Sequence, residues 1–97
     1  MIVVHDTFVC KPGNASKLAK LCKETMTGTG KQVAIMTDMT GQFHRVIMVS
    51  THESLAAWEK MMEDMKNPTE EQKKMQEKFK DMNDMYVSGS REIFRVW

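Results

Sequence analysis

Only two cysteines, Cys10 and Cys22, occur in the 97 residues, too few for a disulfide framework. They are expected to stay unbridged. Cys10 closes an expected strand, and Cys22 falls about 12 Å along the helix that follows at 1.5 Å per residue, whereas a bridge needs Cα atoms within roughly 7 Å. Charge of one sign is as scarce. Fourteen Lys and Arg face thirteen Asp and Glu, which leaves +1. A dedicated nucleic-acid binder usually carries a basic excess, so no nucleic-acid partner is expected. No apolar run approaches the roughly 18 residues of a membrane helix. The opening MIVVHDTF has no basic flank ahead of a long apolar stretch. A cytoplasmic location without membrane contact is the expectation. The length excludes a doubly wound cofactor domain joined to a substrate domain, and also a (β/α)8 barrel, so residues 1–97 are read as one domain. A Gly-rich phosphate loop, a Cys-x-x-Cys pair and a Gly-x-Ser-x-Gly elbow are all missing. His-x-His and His-x-x-x-His spacings are missing too, and with them the usual starting point of a metal site. Neither metal nor cofactor is expected.

What the chain does have is clear periodicity. Residues 2–10, IVVHDTFVC, are β-branched and aromatic and read as a strand. Ile2, Val4, Asp6, Phe8 and Cys10 share one face, and Val3, His5, Thr7 and Val9 the other. Neither face is uniformly polar, which fits a strand covered on both sides. Lys11-Pro12-Gly13-Asn14 is a turn, with Asn14 or Ser16 as the cap of a helix. That helix carries an apolar stripe of Ala15, Leu18, Ala19, Leu21, Cys22 and Met26, and Thr27-Gly28-Thr29-Gly30 ends it. Strands follow at 31–39 and 43–50 around the tight turn Thr40-Gly41-Gln42, and so short a link makes them antiparallel. Ser50-Thr51-His52-Glu53 has capping-box spacing, ahead of a stripe of Leu55, Trp58, Met62 and Met65. Asn67-Pro68-Thr69-Glu70 reads as a second start, with a capping side chain and proline at the first helical position. The inner stripe of this last helix is Met75, Phe79, Met82 and Tyr86. Ser88-Gly89-Ser90 breaks it, and REIFRVW over 91–97 is a final strand.

The order β-α-β-β-α(α)-β gives an α+β, ferredoxin-like domain. Its four-stranded antiparallel sheet is expected in the order 4-1-3-2, with the helices on one face. The other face is not polar. Phe43, Ile47 and Val49 share one side of strand 3 and Val46 and Met48 the other, and in strand 4 Ile93 and Trp97 oppose Phe94 and Val96. A monomer would expose a sizeable apolar patch, which soluble monomers seldom tolerate. A symmetric dimer that stacks the open faces removes it.

This order, the length, the segment THESLAAWEKMM after strand 3 and the closing REIFRVW resemble the dimeric α+β barrel superfamily. Among its members the chain is most similar to small antibiotic-biosynthesis-monooxygenase-like and NIPSNAP-like domains. The resemblance implies a homodimer whose two sheets form a shared barrel, with a small pocket between sheet and helices in each subunit. Haem-degrading members use a Trp, an Asn and a helical His that ligates iron. This chain has no His after residue 52 and no Asn in strand 1, which argues against that activity.

Histidine titrates near working pH, so His5 is a candidate acid, base or orienting donor. His44 is placed on the other central strand, and His52 in an exposed first turn. Asp6, between Val4 and Phe8, needs a partner, which Arg91 or Arg95 on the neighbouring strand can supply. It is the second candidate for proton transfer. Eleven methionines suit irregular or adaptable space, and Met36, Met48 and Met62 join Trp58, Phe79 and Tyr86 as candidate pocket lining. Without a tight Met-x-x-Met cluster near a His, a copper site is not supported. The strand segment FHRVIMVS also lacks the basic, aromatic stacking motif of RNA-recognition domains. The leading expectation is a homodimer that binds a small, mostly apolar molecule between sheet and helices. The alternatives are a cofactor-independent monooxygenase or isomerase using His5 or Asp6, and a structural or regulatory dimer with a filled pocket.

Overall fold

The computed structural model describes residues 1–26, 32–78 and 80–97. Phe79, and the side chain of Met75, lie outside the described residues. The strand β1 spans Ile2–Cys10, and the helix α1 spans Ala15–Met26. The strands β2 (Gln32–Thr37) and β3 (Arg45–His52) follow. The helices α2 (Leu55–Asp64) and α3 (Glu70–Lys78), a short 3₁₀ turn at Met82–Asp84 and the strand β4 (Tyr86–Arg95) complete the chain. All strand pairs are antiparallel and the sheet order is β2-β3-β1-β4, which is the expected 4-1-3-2 read from the other edge. No helix among the described residues is long and apolar enough to cross a membrane.

Register turns the sequence alternation into two faces. Rows run straight across the sheet: Ile35, Met48, Asp6 and Arg91 in one, then Ser50, Val4 and Ile93, then His52, Ile2 and Arg95. These rows face the helices. Leu18 and Cys22 of α1 are wholly buried with Cys10 and Val46, so the stripe read from the sequence is what docks α1 on the sheet. No disulfide joins Cys10 and Cys22, yet they share this cluster. The distance along the helix axis alone overstated their separation. Burial raises both thiol pKa values, that of Cys22 to about 11, with the neighbouring Cys10 adding to it. The alternate residues, among them Val3, His5, Ile47 and Val49, form the opposite face. Among the described residues no helix covers that face.

Several boundaries differ from those expected. Strand β3 does not stop at residue 50, because Thr51 and His52 still pair with Val3 and Ile2. The capping box at Ser50 therefore does not form. Ser54 caps α2 instead, its hydroxyl accepting from the Ala57 N–H at 3.1 Å. Helix α3 opens on a reciprocal capping box two residues later than expected, at Thr69 and not Asn67. The Thr69 hydroxyl accepts from the Gln72 N–H at 3.3 Å, and the Gln72 side chain accepts from the Thr69 N–H at 2.9 Å.

Phe43 and His44 are not in a strand but in the β2–β3 loop, where His44 has φ 65°. The loop is longer than a tight turn because Arg45 organises it. Its backbone N–H donates to Asp38 Oδ1 at 2.8 Å, and its guanidinium donates to the carbonyls of Gln42 and Thr40. Gly41, at φ 91°, passes so close that a Cβ there would meet the Arg45 guanidinium at 3.0 Å. Ser88-Gly89-Ser90 is not a break. It pairs with Val9, Phe8 and Thr7 inside β4, after a bulge that sets Tyr86 opposite Cys10. The Phe8 ring lies over Gly89, 3.4 Å from where a Cβ would stand.

Candidate functional site

The helices cover the sheet unevenly. Helix α1 and the 3₁₀ turn close over the half formed by Phe8, Cys10, Val46 and Met48. Over the β1–β4 half the cover is thin, and Ile93, which faces the helices, stays 39% exposed. The result is a shelf with Ile2 and Asp6 of β1 and Arg91, Ile93 and Arg95 of β4 as its floor, while Val4 between them is fully buried. Helix α2 forms its wall through Trp58.

Asp6, Arg91 and Trp58 meet on this shelf. Arg91 Nε donates to Asp6 Oδ1 at 2.5 Å, and the guanidinium carbon sits 5.2 Å from the centre of the Trp58 ring. The alternation of β1 puts Asp6 on the helix side, and antiparallel pairing puts Arg91 directly opposite. With the Arg91 side chain 42% exposed, the ion pair contributes at most about 1 kcal/mol to stability. Its consequence is geometric. The guanidinium is held at Nε and sits over an aromatic ring. Among the described residues no hydrogen bond engages its terminal nitrogens. Met48 lies opposite Asp6 on the same face, and half-buried Met62 stands one helical turn beyond Trp58.

Beyond the Ile2–Arg95 row the shelf ends beside a solvent-open cleft of about 610 Å³, lined by Met1, Thr51, His52, Glu53 and Ala57. His52 is only 4% exposed, and its Nε2 is 3.1 Å from the Ser50 hydroxyl. It was expected in an exposed turn. The two extra residues of β3 carry it under the start of α2, and no local sequence signal announces that.

The other expected site residues are dispersed. His5 lies on the open face, paired opposite Val49 and Glu92, with its ring edge-on to Phe94 at 5.2 Å. His5 and Asp6, as neighbours in one strand, therefore face opposite sides of the sheet and do not form one site. Met36 is on the open face with His5. Tyr86 packs against Phe8 at 5.0 Å, and its hydroxyl is 3.2 Å from Asn83 Oδ1, so it belongs to the core at the far end of β1. Phe79 lies outside the described residues. Among the described residues no three His, Cys, Asp or Glu side chains cluster as metal ligands would.

No protein-family model and no curated protein sequence matches the chain. Solved structures do match. An uncharacterized NIPSNAP domain protein from Burkholderia xenovorans superposes with a TM-score of 0.80 at 12% identity, covering 100% of this chain and 95% of that one. A NIPSNAP family protein from Agrobacterium tumefaciens superposes with 0.79 at 15% identity, over 97% and 90% of the two chains. An antibiotic biosynthesis monooxygenase gives 0.61 at 15% identity, over 100% and 99%. At these identities the likeness establishes the fold, which is the ferredoxin-like fold that these NIPSNAP and monooxygenase structures share.

Proposed function

We propose that the chain acts as a homodimeric α+β barrel protein that holds a small, mostly apolar molecule on the shelf between β1, β4 and α2. The observation that carries the binding half is Trp58. It is a half-buried aromatic ring beneath the Arg91 guanidinium, whose ion pair with Asp6 is the polar neighbour. Small-molecule sites generally combine apolar walls with a few placed polar groups. The dimer half rests on the open sheet face, where Met36, Phe94 and Val96 remain 41%, 46% and 42% exposed. Stacking two such faces about a two-fold axis buries them symmetrically.

Sedimentation at micromolar concentration, with calorimetric titration of 2-naphthol into wild type and Trp58→Ala, tests both halves. Twice the 11.2 kDa chain mass and a micromolar affinity lost in Trp58→Ala are the expected results. A monodisperse monomer removes the barrel, and an unchanged Trp58→Ala affinity removes the shelf.

A second reading, a cofactor-independent monooxygenase or isomerase, draws on the monooxygenase structure of the same fold. On the shelf its proton-transfer group is Asp6, since His5 faces the other side. Turnover abolished in Asp6→Asn but retained in His5→Ala would favour it.

A further inference from the structure

Resting on the shelf as the binding site, we propose that its ligand is an acid: an apolar body whose carboxylate is taken by the terminal nitrogens of Arg91. Three observations lead there. The guanidinium is already oriented, because Nε is committed to Asp6 and the group lies over the Trp58 ring. What it presents is the end-on edge of its two terminal nitrogens, a planar fork that matches the two oxygens of a carboxylate. The Arg91 side chain is 42% exposed while that of Asp6 is only 20% exposed, so the arginine is the accessible member of the pair.

The charge balance agrees. Arg91 and Arg95 both lie on the helix-facing side of β4. Asp6 compensates one of them, so the floor formed by β1 and β4 keeps one positive charge. Between the two arginines Ile93 is 39% exposed, which leaves an apolar strip for the ligand body next to its anionic end. A neutral apolar ligand has no use for this edge, and a polyanion finds too few cations. A monocarboxylate with one flat apolar ring system fits both.

The test compares 2-naphthoate with 2-naphthamide, which share shape and differ in charge, by calorimetry on the wild-type protein, Arg91→Gln, Arg91→Lys and Asp6→Asn. Thermal melts establish that each variant folds. In wild type the acid is expected to bind at least tenfold more tightly than the amide. Arg91→Gln should abolish that preference, acid and amide then binding with equal affinity. Arg91→Lys should restore only part, since a point charge lacks the fork, and Asp6→Asn should keep or strengthen the preference for the acid. Equal wild-type affinities for acid and amide overturn the carboxylate assignment and leave the shelf as a binding site. A preference that survives in Arg91→Gln overturns the assignment to Arg91. If neither compound binds, the binding reading itself falls and the carboxylate with it.

Discussion

Replacing Phe94 by alanine should dissociate the proposed dimer without unfolding the chain. Phe94 sits on the open face beside His5 and is 46% exposed in the single chain. A phenylalanine side chain offers about 200 Å², so close to half of it, about 90 Å², is free to be covered by a partner. At about 25 cal/mol per Å² this is about 2 kcal/mol. A two-fold interface counts it twice, and about 4 kcal/mol raises the dissociation constant on the order of a thousandfold. Complete coverage makes this an upper figure. Ile93 supplies the control. It is a neighbouring residue of similar exposure, 39%, but it faces the helices. Sedimentation equilibrium over a concentration series should therefore show Phe94→Ala shifting strongly toward 11.2 kDa while Ile93→Ala stays at twice that mass. A folded Phe94→Ala that dimerises as tightly as wild type refutes the reasoning, and so does an Ile93→Ala variant weakened to the same degree.

Further outcomes follow from the same geometry. Burial holds the Cys22 pKa at about 11 against an ordinary 9.0, so the unfolded chain releases this proton first. The neutral thiol's stabilisation is complete below pH 9 and is lost as pH rises toward 11, by about 2–3 kcal/mol. Urea midpoints at pH 8 and pH 10.5 should fall less in Cys22→Ala than in wild type, and an equal fall would show that the thiol is not the source. Deleting residues 91–97 removes the β4 partners of Ile2 through Asp6 and should abolish both cooperative melting and the dimer. A deletion variant that keeps both contradicts the placement of β4. His5→Ala should leave 2-naphthol affinity within about twofold under dimer-forming conditions, since His5 faces away from the shelf. A tenfold loss would place the ligand on the open face.

The sequence made the architecture readable wherever side-chain period and turn chemistry agree. The alternation in IVVHDTFVC puts Asp6 and His5 on opposite sides, and the period of α1 marks Leu18 and Cys22 as its buried stripe. It failed where pairing overrides local preference. Ser88-Gly89-Ser90 has poor strand propensity, yet β1 supplies partners for all three residues, and Gly89 leaves room for the Phe8 ring. Ser50 has capping-box spacing, but the ladder with β1 holds the chain extended through His52, so the cap moves to Ser54. That same extension buries His52, which no nearby residue foretells. At the site, Asp6 and an arginine of β4 were legible as a pair because antiparallel strands place them side by side. Trp58 was legible as a member of the inner stripe of α2. What sequence periodicity does not contain is the height of α2 above the sheet, which determines that Trp58 meets Arg91 and not the core.

In the proposed binding mode an apolar molecule lies against Trp58 on the helix side of the sheet. Fluorescence titration of Trp97→Phe tests it most directly, because Trp97 is fully exposed and its removal leaves Trp58 as the sole tryptophan emitter. Adding 2-naphthol should change Trp58 emission in a saturable way with a micromolar midpoint, and the change should be competed away by 2-naphthoate. Emission that stays constant up to the solubility limit of both compounds would contradict the account and leave a dimer whose shelf holds no ligand.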